Sequence, residues 1–349
     1  MSTRWVFMAF TVAALLTVNQ FVFGGEYTAR GAEHVIKLGY STGNLPPTES
    51  MEIMYGDVFK RELESRTDGK LFVEIYSSDS LGTAPDTLGA ISVGSVEMGL
   101  YEIALFANYN RDTMLFNLPG KFRDIAEADQ MLNSDWAHEN IWSSLEKRSN
   151  LKVLGGVCKG FRSFTSKPRP LRIPTDIRGM SIRVMDSPMY VRMVESLSAN
   201  PIVLAGSEMY TAMQNGVVDG HENTVLSVYQ DKSYEVQDFM VLDEHIPGIQ
   251  IWVMNAGFFN KLSPEYQKAI VEVNQVASEA SSKVVYDLIE DMTNRLIEAG
   301  LQIYKPTAEE KAQWHAIYGP ACERFLRDRI GDAAIDSFNA YQEKIRAGK

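Results

Sequence analysis

Two arginines interrupt segments that otherwise read as β-strands. Arg162 stands in Gly160-Phe161-Arg162-Ser163-Phe164, and Arg183 in Ser181-Ile182-Arg183-Val184-Met185. A strand interior is a costly place for a charge unless the charge is paired. A guanidinium offers a planar fork that meets a carboxylate with two parallel hydrogen bonds. One such arginine reads as a solvated edge residue or a structural ion pair. Two, each followed by a helix start, point to a cleft that binds an anion.

Other residues invite chemistry of a different kind. Gly39-Tyr40-Ser41-Thr42-Gly43 fits G-x-S-x-G, the nucleophile elbow of α/β hydrolases. His221, His245 and His315 lie downstream, so the chain order of a triad does not exclude it. An elbow needs a helix to begin at its serine, however. Here Pro46-Pro47 follow, and proline pushes its predecessor away from the α conformation. The helical pattern starts only near Glu49, so Ser41 sits at the mouth of a loop. Ligands in open α/β sheets lie beyond the carboxyl ends of strands. The Ser41 turn therefore reads as a ligand-facing strand end or a plain connection, with an exported serine hydrolase as an alternative. In Asp219-Gly220-His221-Glu222-Asn223, the Asn223 amide supplies a donor and an acceptor. No second histidine stands at ligand spacing from His221, so no metal is expected and His221 reads as a polar loop residue.

The elements that must position these groups alternate between strand and helix. Residues 35–40, 71–76 and 96–101 are β-like. A helical pattern covers 49–66 and another 86–93, each ended by glycine. This βαβαβ opening predicts a parallel sheet covered by helices. Strands are predicted at 151–157, 161–165, 181–185, 217–220 and 249–255. Helices open at Ser187-Pro188 and Ser207-Glu208. Ser263-Pro264-Glu265 then starts a pattern running to Ala299. A helix of that length spans roughly 50 Å and can connect two domains. A kink is expected near 278–282, and the last segment reads as helices around an interruption at Gly319-Pro320.

The bulk properties narrow the function. The 349 residues carry a formal charge of -11 and 45% hydrophobic residues. That composition folds around a core, and without a basic stripe nucleic acid is not an expected partner. No ATP or other cofactor motif occurs. Arg4 followed by the apolar run 5–18 reads as a signal peptide over 1–24, with cleavage as late as 32, or as an uncleaved anchor. Export would place the chain where a disulfide is permitted, but sequence does not decide whether Cys158 and Cys322 pair.

One longer pattern is specific. Ile182-Arg183-Val184, followed by Ser207-Glu208-Met209-Tyr210-Thr211-Ala212-Met213-Gln214-Asn215-Gly216-Val217-Val218-Asp219-Gly220-His221-Glu222-Asn223, resembles the signature of the periplasmic substrate-binding proteins of TRAP (tripartite ATP-independent periplasmic) transporters. These are often called dicarboxylate-binding proteins. The Ser80-Leu81-Gly82 turn and the helix after Leu262-Ser263-Pro264-Glu265 are also similar, and the resemblance covers essentially the whole mature chain. It implies an α/β fold of two domains with a cleft, crossing strands and a long hinge helix. One domain would take 33–158 with about 248–300, the other 159–247 with about 301–349. It further implies a receptor for a small organic acid, carboxylate or possibly sulfonate, that serves TRAP membrane subunits. A sensor module for a signalling receptor is the alternative. Arg183 would pair with the ligand acid, with Arg162, Asn223, Glu102 and the Ser41 loop as further contacts. Gly206 stands where many relatives carry an aromatic residue, which should open the pocket. Thr224 stands where many have proline.

Overall fold

Caps written in the sequence set where the helices begin. The side chains of Ser50, Thr83, Thr224, Ser263 and Thr307 each accept a hydrogen bond from the backbone N–H three residues on, in the first turn of the helix that follows, as N-caps do. The computed structural model describes residues 27–43 and 45–348; the expected signal segment lies outside the described residues.

The chain opens with β1 (His34–Tyr40), α1 (Met51–Arg66), β2 (Leu71–Tyr76), α2 (Ala84–Val93) and β3 (Met98–Glu102). After two 3-10 turns come α3 (Ile125–Leu132), the short α4 (Asp135–Ala137), α5 (Ser143–Ser149) and β4 (Leu151–Ser166). Next are β5 (Ser181–Val184), α6 (Pro188–Ser196), β6 (Asn200–Val203), α7 (Gly206–Gln214), β7 (Gly220–Thr224), α8 (Val225–Gln230) and β8 (Phe239–Asn255). The order closes with α9 (Ala256–Lys261), α10 (Pro264–Glu298), β9 (Gln302–Tyr304), α11 (Ala308–Ile330) and α12 (Asp332–Arg346).

The strands align in the order β2-β1-β3-β8-β4-β7-β5-β6, with β9 beside β8. β1 pairs in parallel with β2 and β3, and β5 in parallel with β6 and β7. Between these two parallel halves run β4 and β8, antiparallel to each other. The result is the expected two-domain α/β fold, with two strands crossing between the halves and the ligand-facing strand ends turned toward a shared cleft.

Several local expectations need correction. The two strands expected at 151–157 and 161–165 are one strand, β4, with register shifts between Val153 and Gly155 and between Cys158 and Phe161. Cys158 lies inside that strand, and both Cys158 and Cys322 are buried and free. β8 begins ten residues before the expected 249, through Asp243, Glu244 and His245, which look like loop residues by composition. β7 begins at Gly220 instead of 217, so His221 is a strand residue, not a loop residue. A Cβ at Gly220 would lie 2.1 Å from the Thr165 carbonyl oxygen of β4. Only glycine lets the two strands approach at that point.

The helix α10 runs unbroken through 278–282. Its serines bond outward instead of back onto their own turn. Ser278 Oγ accepts from Trp252 Nε1 at 2.7 Å, and Ser281 Oγ donates to the Met51 carbonyl at 2.7 Å. α11 likewise continues through Gly319-Pro320, and Gly331, with φ of 83°, ends it. Trp314, Tyr318, Cys322 and Leu326 recur every four residues and are buried. That apolar stripe holds the helix together across the proline, whose missing N–H removes one backbone bond.

Candidate functional site

The cleft between the halves encloses a cavity of about 300 Å³, and the sequence-predicted residues Ser41, Glu102, Arg162, Arg183, Gly206 and Asn223 all line it. Most sit at a strand end or helix start. Ser41 follows β1, Glu102 ends β3, and Asn223 stands one residue before the end of β7. Gly206 opens α7, while Arg162 and Arg183 lie on β4 and β5, with β7 between them. A cavity of this size suits a small molecule.

The two arginines play different parts. Arg162 is 2% exposed and fully engaged. Its Nε donates to Glu222 Oε2 at 2.5 Å, and its Nη2 donates to Glu222 Oε1 at 3.0 Å and to the Glu222 carbonyl at 2.7 Å. Its Nη1 lies 3.5 Å from Glu102 Oε1. Burial works against the guanidinium charge, but Glu222, Tyr190 and Glu102 together outweigh it and raise the Arg162 pKa. Burial also disfavours the Glu222 carboxylate, yet Arg162 and His245 hold its pKa down at about 2.

Behind this pair lies His245 on β8, which sequence reasoning did not connect to the site. Its Nε2 is 3.5 Å from Glu222 Oε2, and its Nδ1 is 2.9 Å from Asp243 Oδ2. The Tyr318 hydroxyl is 3.5 Å from the same Asp243 oxygen. Burial alone would discharge the imidazole, but Asp243 and Glu222 push its pKa up to about 9. The ring is therefore an imidazolium between two carboxylates. A histidine in an unfolded chain titrates near ~6.5. The stability His245 adds is complete below that value and is lost as pH rises through 9. The unfolding free energy should accordingly fall more steeply between pH 7 and 9.5 in the wild type than in His245→Gln. Equal slopes in urea titrations of the two proteins would mean that the ring is neutral in the fold.

Arg183 has no such partner. Its Nε and Nη2 both donate to the Leu204 carbonyl, at 3.0 and 2.7 Å, and Nη1 meets only the Met209 sulfur at 3.5 Å. No carboxylate among the described residues forms an ion pair with it. Burial is the main reason its pKa falls to about 10, with Glu222 opposing and Arg162 assisting. The neighbouring His221 adds no second positive charge, because burial lowers its pKa to about 3 and leaves it neutral. Arg183 is thus a 97% buried cation on the cavity wall, with Glu208 and Asp231 acting on it only from beyond ion-pair distance.

Asn223 adds to this side of the cleft. Its Oδ1 accepts the Thr224 N–H at 3.0 Å, which leaves the amide nitrogen as the donor. That N–H exists because position 224 is not proline. Lys159, another residue that sequence reasoning missed, also lines the cavity and holds Glu52 Oε1 at 3.2 Å. Ser41 meets no helix start, since a 3-10 turn at Pro47–Glu49 precedes α1, so the nucleophile-elbow alternative fails on geometry. Gly39 of that motif instead lets Tyr101 pack close, its oxygen 3.0 Å from where a Cβ would stand.

A larger cavity of about 420 Å³ opens elsewhere, between β4, α8 and α10, and shares only Lys159 with the cleft. None of the buried side-chain atoms that lack a hydrogen-bond partner lines it. Three such atoms, on Asp79, Glu102 and Gln250, line the cleft. Two more cavities, of about 570 and 500 Å³, share one such atom, His315 Nε2, so the cleft gathers the most unmet polar atoms.

Residues 43–328 match the family model described as bacterial extracellular solute-binding protein, family 7. The chain belongs to this family. It is 29% identical over 301 residues to the 2,3-diketo-L-gulonate-binding periplasmic protein of Escherichia coli (strain K12), covering 86% of this chain and 90% of that one. Among solved structures it resembles a TRAP periplasmic solute-binding protein of Sulfurospirillum deleyianum with bound succinate (26% identity, TM-score 0.82, 88% of this chain and 99% of that one). A second, from Roseobacter denitrificans with bound L-galactonate, shares the fold at 24% identity and a TM-score of 0.81, over 88% of this chain and 99% of that one. This member of the solute-binding family is a binding protein, not an enzyme. No helix among its described residues is long and apolar enough to cross a membrane.

Proposed function

We propose that this solute-binding protein is an extracytoplasmic receptor that captures a small organic anion, a carboxylate or a sulfonate, and presents it to TRAP membrane subunits for uptake driven by an ion gradient. The observation that carries the reading is Arg183, buried at the cleft without a carboxylate partner. In this reading the acid group takes the open Nη1 side of Arg183. The Asn223 amide adds a donor, and Arg162, held rigid by Glu222, adds field. Glu102 and the Ser41 loop meet the ligand from the first domain. The domains divide as 33–158 with 248–300 and 159–247 with 301–349, and they close about the crossing strands when the anion bridges them.

A thermal-shift screen of the mature protein against small carboxylates and sulfonates tests this. A ligand at one hundred times its dissociation constant adds about 2.7 kcal/mol to the folded state, a plain rise in melting temperature. A broad panel without a single shift, on folded protein freed of any co-purified small molecule, would sink the proposal. Pocket size gives a second expectation. A Cβ built on Gly206 meets nothing within 4 Å. Gly206→Tyr should therefore fold normally and narrow the cleft. Calorimetry should show the affinity for six-carbon acids falling more than that for four-carbon acids; equal losses would place Gly206 outside the ligand's reach.

A further inference from the structure

Resting on the receptor reading above, the cleft also specifies what the ligand carries away from its acid group. The two walls differ in kind. On the β5–β7 side stand donors without full partners, Arg183 Nη1 and the Asn223 amide nitrogen. On the β1–β3 side stand acceptors. Glu102 is 6% exposed, and its Oε1 has no hydrogen-bond donor, only the Arg162 Nη1 contact at 3.5 Å. Gln250 is 8% exposed; its Nε2 donates to Glu102 Oε2 at 3.4 Å, which directs its orphaned Oε1 away from that carboxylate. Asp79 Oδ1 is a third orphaned acceptor. A buried acceptor left without a donor costs free energy that a ligand can recover.

The charges agree with the geometry. Of the cations on the cleft, Arg162 is matched by Glu222 and Lys159 by Glu52. One acid group on the ligand matches Arg183. Glu102 and Asp79 then remain, with Asp186, Glu208 and Asp231 also on the lining; burial raises the pKa of Glu102 and Asp79, against the pull of Arg162 and Lys159 on Glu102 and of the Ser41 hydroxyl on Asp79. A second carboxylate placed there would add a like charge beside two carboxylates and would satisfy none of the three acceptors. We propose that the ligand is a monoacid whose distal part carries hydrogen-bond donors, hydroxyl or ammonium, gripped by Glu102, Gln250 and Asp79, and that diacids are rejected.

The test uses acids matched in carbon count: 4-aminobutanoate against succinate, erythronate against tartrate, gluconate against glucarate. Each is titrated calorimetrically into ligand-free wild-type protein, Arg183→Ala, Glu102→Gln and Asp79→Asn. Like-charge contact is costly enough that the diacid of a binding pair should be at least about thirty-fold weaker than its monoacid. Both carboxamide variants should narrow that gap. If the distal donor is ammonium, Glu102→Gln should weaken the monoacid by more than about tenfold through loss of the charge pair. If it is hydroxyl, the loss should be smaller, because the amide oxygen still accepts. A diacid that binds as tightly as its monoacid, or a gap unchanged in both carboxamide variants, overturns the proposal. Should such a diacid still depend on Arg183, the receptor reading survives that failure. Binding by none of the six acids overturns the monoacid proposal, while the receptor reading stands or falls with the broad carboxylate and sulfonate screen.

Discussion

Arg183→Ala is expected to weaken binding of the ligand by about 3–5 kcal/mol, because the acid group would then be buried opposite no charge. That is a loss of roughly two to three and a half powers of ten in affinity, read directly by calorimetry. The expectation follows from the asymmetry between the arginines. Arg183 spends two of its donors on one backbone carbonyl and meets only a sulfur with the third. In the proposed reading its charge is met by the ligand. Arg183→Lys should recover little, since a single ammonium cannot hold both the Leu204 carbonyl and a carboxylate in one geometry. A variant that binds within a few-fold of the wild type would remove Arg183 from the ligand's contacts altogether.

The second large effect concerns stability instead of affinity. Glu222→Ala should destabilise the folded protein by about 3–5 kcal/mol, the range for breaking a buried pair by removing one partner. The arithmetic is one-sided here. Glu222 accepts from Arg162 with both oxygens and faces the His245 imidazolium. Its removal takes the main counter-charge from Arg162 and leaves His245 with Asp243 alone. Glu222→Gln keeps the shape and one acceptor, and should fall between wild type and alanine. Urea unfolding measures the difference through the midpoint at constant slope. A midpoint in Glu222→Ala equal to that of the wild type would show that Arg162 finds another counter-charge, with Glu102 the nearest candidate.

These two predictions also mark what was legible in the sequence. The α/β alternation, the long helix and both strand-borne arginines stand out because apolar periodicity and a charge inside it are local signals. A buried arginine's need for a carboxylate was equally clear. Which carboxylate answered it was not. Glu222 lies in Gly-His-Glu-Asn-Thr, a strand buried at every position without an apolar residue in it, so no alternation betrays it. Asp243 and His245 are hidden in another way, in a three-residue polar run, 243–245, that interrupts the apolar sequence of β8. Lys159 sits at a register shift of β4 and looks like a break between two strands. The expected break at Gly319-Pro320 failed for the opposite reason. The local signal was real, but the four-residue apolar stripe of α11 overrode it. Polar residues that pair with one another across strands leave no trace in a one-dimensional pattern, and the network behind Arg162 is built entirely of them.

The crossing strands have a consequence for how this scaffold can diversify. Leu151–Cys158 of β4 pairs with β8 next to β3, while Arg162–Phe164 pairs with β7. Both strands thus belong to both halves, and the charge network hangs from the shared stretch. Exchanging one half between two relatives would cut two hydrogen-bonded ladders in mid-strand and part Arg162 from Glu102. Gene segments of this protein are not interchangeable parts in the way that linker-joined domains are. A new ligand is reached in such a lineage by replacing single side chains around the cleft, at positions such as Gly206 or Asp79, while the strands that carry the lobes are inherited whole.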